Sequence, residues 1–292
     1  MRLGIGITTY NRRGILAGTI RRVRELTRHE PVHLVVADDG SQDGTQEALR
    51  KQGIPLVTGP NRGIAWNKNR ALFLLSEMLR CDVVILLEDD ATPTRFGWDS
   101  EWIDAAQRWG HVNYAGPWLQ PHFVSGAGTP ADPVLCSALT AQCAAFSREA
   151  LAFGGYFDPR FQGYGHEHVE HTRRLARAGY GGCDQQSKDG QDKVLYRLIE
   201  GGIATVDSGS HANLEDIERN LQVAHLAMAD RRYRAPWSDE IEMQAFRAEQ
   251  QRAMEATPQQ FRVRRPTSPE HSDRHRFARQ IGLFLSENRR RA

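Results

Sequence analysis

The stretch Val83-Val84-Ile85-Leu86-Leu87-Glu88-Asp89-Asp90 decides how the rest of the chain is read. Its first five residues form an unbroken apolar run, as expected of a buried strand. Three carboxylates follow at once. Side by side at the exit of such a strand they repel one another, and uncompensated charge beside a core is costly. A divalent cation is the simplest compensation. Oxygen-only ligands suit Mg²⁺ or Mn²⁺, which usually brings a phosphate with it.

Upstream, strand and helix patterns alternate. Leu3 to Thr8 is a short apolar strand, and Arg12 to Thr27 places Ile15, Leu16, Ile20, Val23 and Leu26 at helical spacing. Val32 to Ala37 is a strand, apolar but for His33, Thr45 to Lys51 a short helix, and Pro55 to Thr58 a further strand. Ile64 to Arg80 is a helix with Ala71, Leu72, Leu75 and Leu79 on one face. This order predicts an α/β fold with a mostly parallel, Rossmann-like sheet and flanking helices. Ligands sit at the carboxyl ends of strands in such sheets. The polar clusters fall there: Thr8-Thr9-Tyr10-Asn11-Arg12, Asp38-Asp39-Gly40-Ser41, Asn61-Arg62-Gly63 and Glu88-Asp89-Asp90. Their agreement carries more weight than any one of them.

Downstream, Gln142 to Phe146 reads as a strand followed by a helix from Arg148. Glu167 to Ala178 is a helix with Val169, Leu175 and Ala176 inward, and Ile203 to Val206 is a last strand. Asp184 to Lys193 is polar without an apolar period and is expected to be a mobile loop. From Leu214 apolar residues thin out. A last patch sets Phe277, Ile281 and Phe284 at helical spacing before Arg289-Arg290-Arg291, which reads as a packed amphipathic helix or a peripheral membrane contact.

Composition narrows the classes. Hydrophobic residues make up 40% and charged residues 25%, an ordinary globular balance. A net charge of +2 is too small to argue for a nucleic-acid partner. No apolar stretch approaches the roughly 20 residues that span a bilayer. Cys81, Cys136, Cys143 and Cys183 show no paired spacing and read as reduced thiols of a cytoplasmic protein.

In order, TTYNR, DDGSQDGT, NRGIAWNKN and LEDD resemble the nucleotide-sugar half of a family 2 glycosyltransferase of the GT-A fold. The resemblance continues through Gly154-Gly155-Tyr156-Phe157-Asp158, Phe161-Gln162-Gly163-Tyr164-Gly165 and Glu167, and covers roughly residues 1 to 211. It implies a nucleotide-sugar-binding half over residues 1–97 and an acceptor-binding half over 98–213; residues 214–292 fall outside it and read from their own pattern as a helical C-terminal extension. It implies a nucleoside-diphosphate-sugar donor, UDP foremost, and a glycan, glycolipid or small-molecule acceptor. Thr8, Tyr10 and Asp38 would line the nucleoside pocket. Where the family commonly ends its third segment Ala-Arg-Asn, this chain has Asn67-Lys68-Asn69, so Lys68 would bring positive charge near the base or diphosphate. Glu88-Asp89-Asp90 matches the metal-binding triplet, with Asp90 a direct ligand, Glu88 direct or through water, and Asp89 beside the donor. His211 sits where several such enzymes place a metal-binding histidine.

The acceptor side departs from the pattern. Inverting relatives often read Gly-x-Glu-Asp, and the aspartate takes the acceptor proton; here Gly165-His166-Glu167-His168 puts His168 at that position. Glu167 is the favoured base and His168 its rival, since histidine titrates near neutrality. Glu170 and His171 would face solvent or brace the site, and a zinc site from His166, His168 and His171 is an alternative. Trp98, Trp102, Trp109 and Trp118 suit core packing, with sugar stacking as the other use. The missing aspartate leaves room for a retaining transferase. A sugar nucleotidyltransferase would need a Gly-rich loop that Thr8-Thr9-Tyr10-Asn11 lacks. A catalytically silent nucleotide-sugar-binding protein is the reading from another class, opposed by the intact acids.

Overall fold

The computed structural model describes residues 1–186, 192–206, 213–227 and 232–256. His211, the centre of the expected loop at 187–191, and the C-terminal patch with its arginine tail lie outside the described residues.

The elements are β1 (Leu3–Thr9), α1 (Arg13–Leu26), β2 (Val32–Asp38), α2 (Thr45–Lys51), β3 (Leu56–Thr58), α3 (Ile64–Phe73), β4 (Val83–Glu88), β5 (Ala91–Pro93), α4 (Trp98–Trp109), β6 (His111–Tyr114), β7 (Phe123–Ser125), β8 (Val134–Cys136), β9 (Cys143–Ser147), α5 (Arg148–Gly154), α6 (Glu167–Arg177), β10 (Gly182–Gln186), β11 (Asp192–Ile199), β12 (Ile203–Thr205), α7 (Leu214–Ala227) and α8 (Glu240–Ala256). α3 ends early and passes into a π turn over Leu74–Met78.

β3, β2, β1 and β4 lie side by side in parallel. The register sets Thr9 opposite Asp38 and Thr8 opposite Glu88, so the polar clusters share one edge. Side chains alternate between faces along each strand. Ile5, Ile7, Leu34, Val36, Ile85 and Leu87 pack with Leu16, Ile20 and Val23 of α1 and Trp98 and Trp102 of α4. Val35, Ala37, Val84 and Leu86 pack on the other face with Ala71, Leu72 and Leu75. β1 has Gly4 and Gly6 on that face because α3 comes close: a Cβ at Gly6 would lie 2.9 Å from the Ala71 Cβ.

The sheet continues past β4 through β9, β6, β11, β8 and β7. β9 runs antiparallel to both β4 and β6, and β6 pairs with β11 in parallel. The parallel character therefore belongs mainly to the first half. The loop expected from Asp184 to Lys193 is a correction: β10 and β11 pair antiparallel from Gly182 opposite Tyr196 to Gln186 opposite Asp192. Ladder bonds are made by the backbone, so a strand at an edge tolerates a polar sequence without apolar period.

Two histidines are sealed under α6. His111 lies 2.9 Å by Nδ1 from Ala145 O and 3.0 Å by Nε2 from Thr172 Oγ1, with its ring stacked on Phe146. Burial pushes its pKa down to about 4. Burial, with Arg174 nearby, also pushes His171 well below its ordinary value. The unfolded chain protonates these rings near pH 6.5, while the fold resists. Stability is therefore complete above that pH and falls as pH drops toward 4. Going from pH 7.5 to 5 is expected to cost on the order of 2 kcal/mol per histidine. Urea unfolding at the two pH values measures the loss. His111→Gln should flatten the dependence, and an unchanged dependence would contradict the assignment.

Candidate active site

The loops leaving β1, β2 and β4 are laced together. Asp39 N donates to Thr9 O at 3.1 Å, and Asp89 N to Thr8 O at 3.1 Å. Asn11, at φ 51, donates its N–H to Ser41 Oγ (2.8 Å) and accepts Gln42 N–H at Oδ1 (2.8 Å). Asp38 divides its carboxylate. Oδ2 accepts from Ser41 N (3.0 Å), Gly40 N (3.2 Å), Gln46 Nε2 (2.9 Å) and Thr58 Oγ1 (2.9 Å). Oδ1 is buried and has no hydrogen-bond partner among the described residues. One oxygen sets the loop; the other is a fixed acceptor. Tyr10, just past the end of β1, is 47% exposed, while Thr8 is buried and donates to Leu87 O at 3.3 Å.

The acidic triplet spreads in three directions. Asp89 turns inward and accepts from Thr9 Oγ1 (2.6 Å) and Arg12 Nη1 (2.9 Å). Burial pushes its carboxyl up to about 6 against the pull of Thr9 and Arg12. Asp90 meets the same Arg12 nitrogen at 3.4 Å. Glu88 pairs with Lys68 at 2.9 Å. Two of the compensating cations are thus the chain's own.

Lys68 is 1% exposed and lies between Glu88 and Glu167, 3.2 Å from the latter. The sequence expectation puts its charge near the base or diphosphate; the structure places it between Glu88 at the β4 exit and Glu167 at the start of α6. Burial alone would lower its pKa, but Glu88 and Glu167 hold it above the ordinary lysine value.

The donor set at the β4 exit is all oxygen. Glu88 and Asp90 keep side-chain exposures of 27% and 12%, so both reach the open edge. Among the described residues no group of three or more ligands is preassembled. That fits Mg²⁺ or Mn²⁺, which are commonly held by one or two carboxylates plus substrate phosphates. It also leaves the alternative zinc site of His166, His168 and His171 without support.

On the acceptor side, Gly165 (φ 101) and His166 (φ 68) turn the chain sharply into α6. Glu167 begins that helix with its carboxylate buried. Burial would raise its pKa, yet the charges of Lys68 and His168 outweigh it and hold the carboxyl well below the usual range. His168 Nδ1 lies 3.3 Å from Glu167 Oε1, with the side chain 21% exposed. Glu170 and His171 do not face solvent; both are buried and brace the helix. Glu170 grips Arg174 at 2.8 and 3.1 Å, Arg174 donates to Gly154 O and Tyr156 O, and His171 Nε2 lies 2.9 Å from Gly155 O. Trp98 and Trp102 are core, Trp109 lies under Arg197, and Trp118 is exposed.

Several residues here have no motif. Arg12 was quoted within its cluster but without a role. From α7, Asp216 accepts Tyr164 N–H at 3.2 Å, and Asn220 Nδ2 donates to Gln162 O (2.9 Å) and Tyr164 O (3.0 Å). From α8, Glu249 reaches Arg70 of α3. No local pattern signals pairs so distant in sequence.

A family model described as glycosyl transferase family 2 matches residues 5–151. No curated protein sequence matches the chain. Among solved structures it is similar to the mannosyltransferase PcManGT from Pyrobaculum calidifontis in complex with GDP-Man and Mn²⁺, at 17% identity over 97% of this chain and 80% of that one, TM-score 0.50. It is similar to S. aureus TarS 1–349 in complex with UDP-GlcNAc, at 14% identity over 87% and 72%, TM-score 0.52. It is also similar to GalNAc-T7 with UDP, GalNAc and Mn²⁺, at 12% identity over 85% and 55%, TM-score 0.52. The match spans 55% of the UDP-bound TarS 1–349 chain and 33% of a longer TarS chain. At these identities the likeness is one of fold.

Proposed function

The chain belongs to glycosyl transferase family 2, and from that premise we propose that it moves a sugar from a UDP-sugar to an acceptor hydroxyl with inversion, with Mn²⁺ or Mg²⁺ as cofactor. The observation that carries this reading is the shared edge: Asp38 ends β2 opposite Thr9 and Glu88 ends β4 opposite Thr8, with Asp90 two residues past the β4 end. Asp38 Oδ1, buried and unpartnered among the described residues, would accept the imide N–H of a uracil, and the Tyr10 ring would stack on the base. Glu88 and Asp90 would hold the cation. When bound, it supplies Lewis-acid neutralisation of the departing diphosphate.

For the proton, the geometry favours His168 over Glu167. A carboxylate held by a buried lysine is a weak base. It is well suited to orient an imidazole: with the Nδ1 proton given to Glu167 Oε1, Nε2 is the atom left to take the acceptor proton. Lys68 keeps Glu167 ionised for that task. The acceptor hydroxyl then attacks the anomeric carbon opposite the leaving diphosphate. Trp118, 46% exposed, offers a face for an acceptor sugar. No helix among the described residues is long and apolar enough to cross a membrane.

The test is turnover of a UDP-sugar panel with Mn²⁺, with the product's anomeric configuration read by NMR. Inverted product is expected, and retained configuration would refute the mechanism. His168→Gln is expected to lower kcat by about 10²–10³ with little change in donor KM. If it turned over at the wild-type rate, the base would lie elsewhere.

A further inference from the structure

α8, the last helix among the described residues, lies outside the matched family segment, yet it reaches the strand-end edge through one guanidinium. Arg70 is completely buried on α3, and Glu249 of α8 is 3% exposed. Glu249 grips Arg70 twice: Nε donates to Oε2 at 2.8 Å and Nη2 to Oε1 at 3.1 Å. A two-point grip fixes the plane of the guanidinium as well as its position. The remaining donors are thereby aimed. Nη1 donates to Asp39 Oδ1 at 2.7 Å, and Nη2 to Pro60 O at 2.8 Å. Asp39 in turn accepts the N–H groups of Arg62 (3.0 Å) and Gly63 (2.9 Å).

The surroundings are built to this contact. Trp66 Nε1 donates to Glu249 Oε2 at 3.2 Å, and the Arg62 guanidinium lies 4.3 Å above the Trp66 ring. Phe246 of α8 meets both Trp66 and Phe73 edge-on. Gly59 leaves room for the acid, since a Cβ there would collide with the Glu249 carboxylate.

We propose that Glu249 is a positioning residue of the donor site, through which α8 sets, by way of Arg70, the Asp38–Asp39 strand end and the 60–63 loop against which the nucleoside diphosphate binds. This rests on the reading of the chain as a UDP-sugar transferase. Without the Glu249 charge, Arg70 keeps Asp39 but loses the acceptors that fix its plane. The strand end and loop then loosen, while Glu88, Asp90 and His168 are untouched. The effect belongs to donor binding rather than to chemistry.

The experiment compares wild type, Glu249→Gln and Gly59→Ala. UDP binding is measured by calorimetry with Mn²⁺, alongside donor and acceptor kinetics. Both variants are expected to weaken UDP roughly tenfold, as losing a charged hydrogen bond does. Donor KM should rise in step, with kcat within about threefold and acceptor KM unchanged. Should Glu249→Gln fail to fold, Glu249→Asp keeps the charge with a shorter reach and should weaken UDP in the same direction. If wild type binds UDP and the folded variants bind it equally, the proposal is overturned. A fall in kcat at unchanged donor KM, as a lower active fraction would give, also overturns it. If wild type binds no nucleoside diphosphate, the failure lies with the functional reading beneath it.

Discussion

Asp90→Ala is expected to lower kcat about a thousandfold, roughly 4 kcal/mol of transition-state stabilisation. Asp90 is one of only two carboxylates that reach the open edge from β4, and the other, Glu88, is already paired with Lys68. On the proposed reading, removing it would leave the cation a single, shared ligand. Diphosphate charge then develops without its main counter-charge. The fold should survive, because the Asp90 ion pair with the partly exposed Arg12 is a long one at 3.4 Å. Thermal unfolding within a few degrees of wild type would show that. Excess Mn²⁺ should not restore turnover. Full metal-dependent activity in the variant would remove Asp90 from the metal site.

Lys68→Met should be the most damaging change to stability within the site. Methionine approximates the lysine stem but removes the ammonium, which lies 5.5 Å from the centre of the Phe157 ring. It leaves Glu88 and Glu167 facing a vacated charge. Breaking a buried pair from one side costs about 3–5 kcal/mol. The Glu167 contribution to the pH dependence should change sign. In wild type the Glu167 carboxyl is held low, so its contribution is present at neutral pH and lost as pH falls below the ordinary carboxylate range. Without Lys68 the burial of Glu167 is unopposed and its pKa rises, so this one group then favours the fold on mild acidification, and the variant should lose less stability than wild type between pH 7.5 and 5, against the unchanged loss from His111 and His171. Adding Glu167→Gln should recover part of the loss. Chemical denaturation at pH 5 and 7.5 measures both effects. A variant unfolding at the wild-type midpoint would mean that Lys68 is not the counter-charge.

What could be read in advance was local. Val83 to Glu88 and Val32 to Asp38 are strands because of runs within themselves, and their polar exits follow from a parallel sheet. The positions of Asp38, Glu88 and Asp90 were therefore legible. The reach of a long side chain was not. Lys68 sits on α3 at a spacing that serves either edge of the helix, and only the arrival of Glu167, 99 residues on, selects one. Glu170 and His171 read as facing solvent or bracing the site, and the sequence did not choose between the two; their burial beside Gly154–Tyr156 and Arg174 comes from packing. β10 was hidden for a different reason, since its bonds are made by a backbone that carries no compositional mark.

α3 has a consequence for how the chain is made. Every residue from Ala65 to Leu72 is buried, including Asn67, Lys68, Asn69 and Arg70. A helix enclosed all round needs its full cover before it is stable. β1 supplies one side early. Glu167 and then Glu249 arrive much later, so during synthesis two cations and the Trp66 ring wait in water for partners not yet translated. The family segment at 5–151 should not fold to completion by itself. Final consolidation of the nucleotide edge falls to the end of translation, when α8 emerges. A nonsense mutation shortly before Glu249 would therefore spare nearly every motif and still leave the chain to the quality-control proteases.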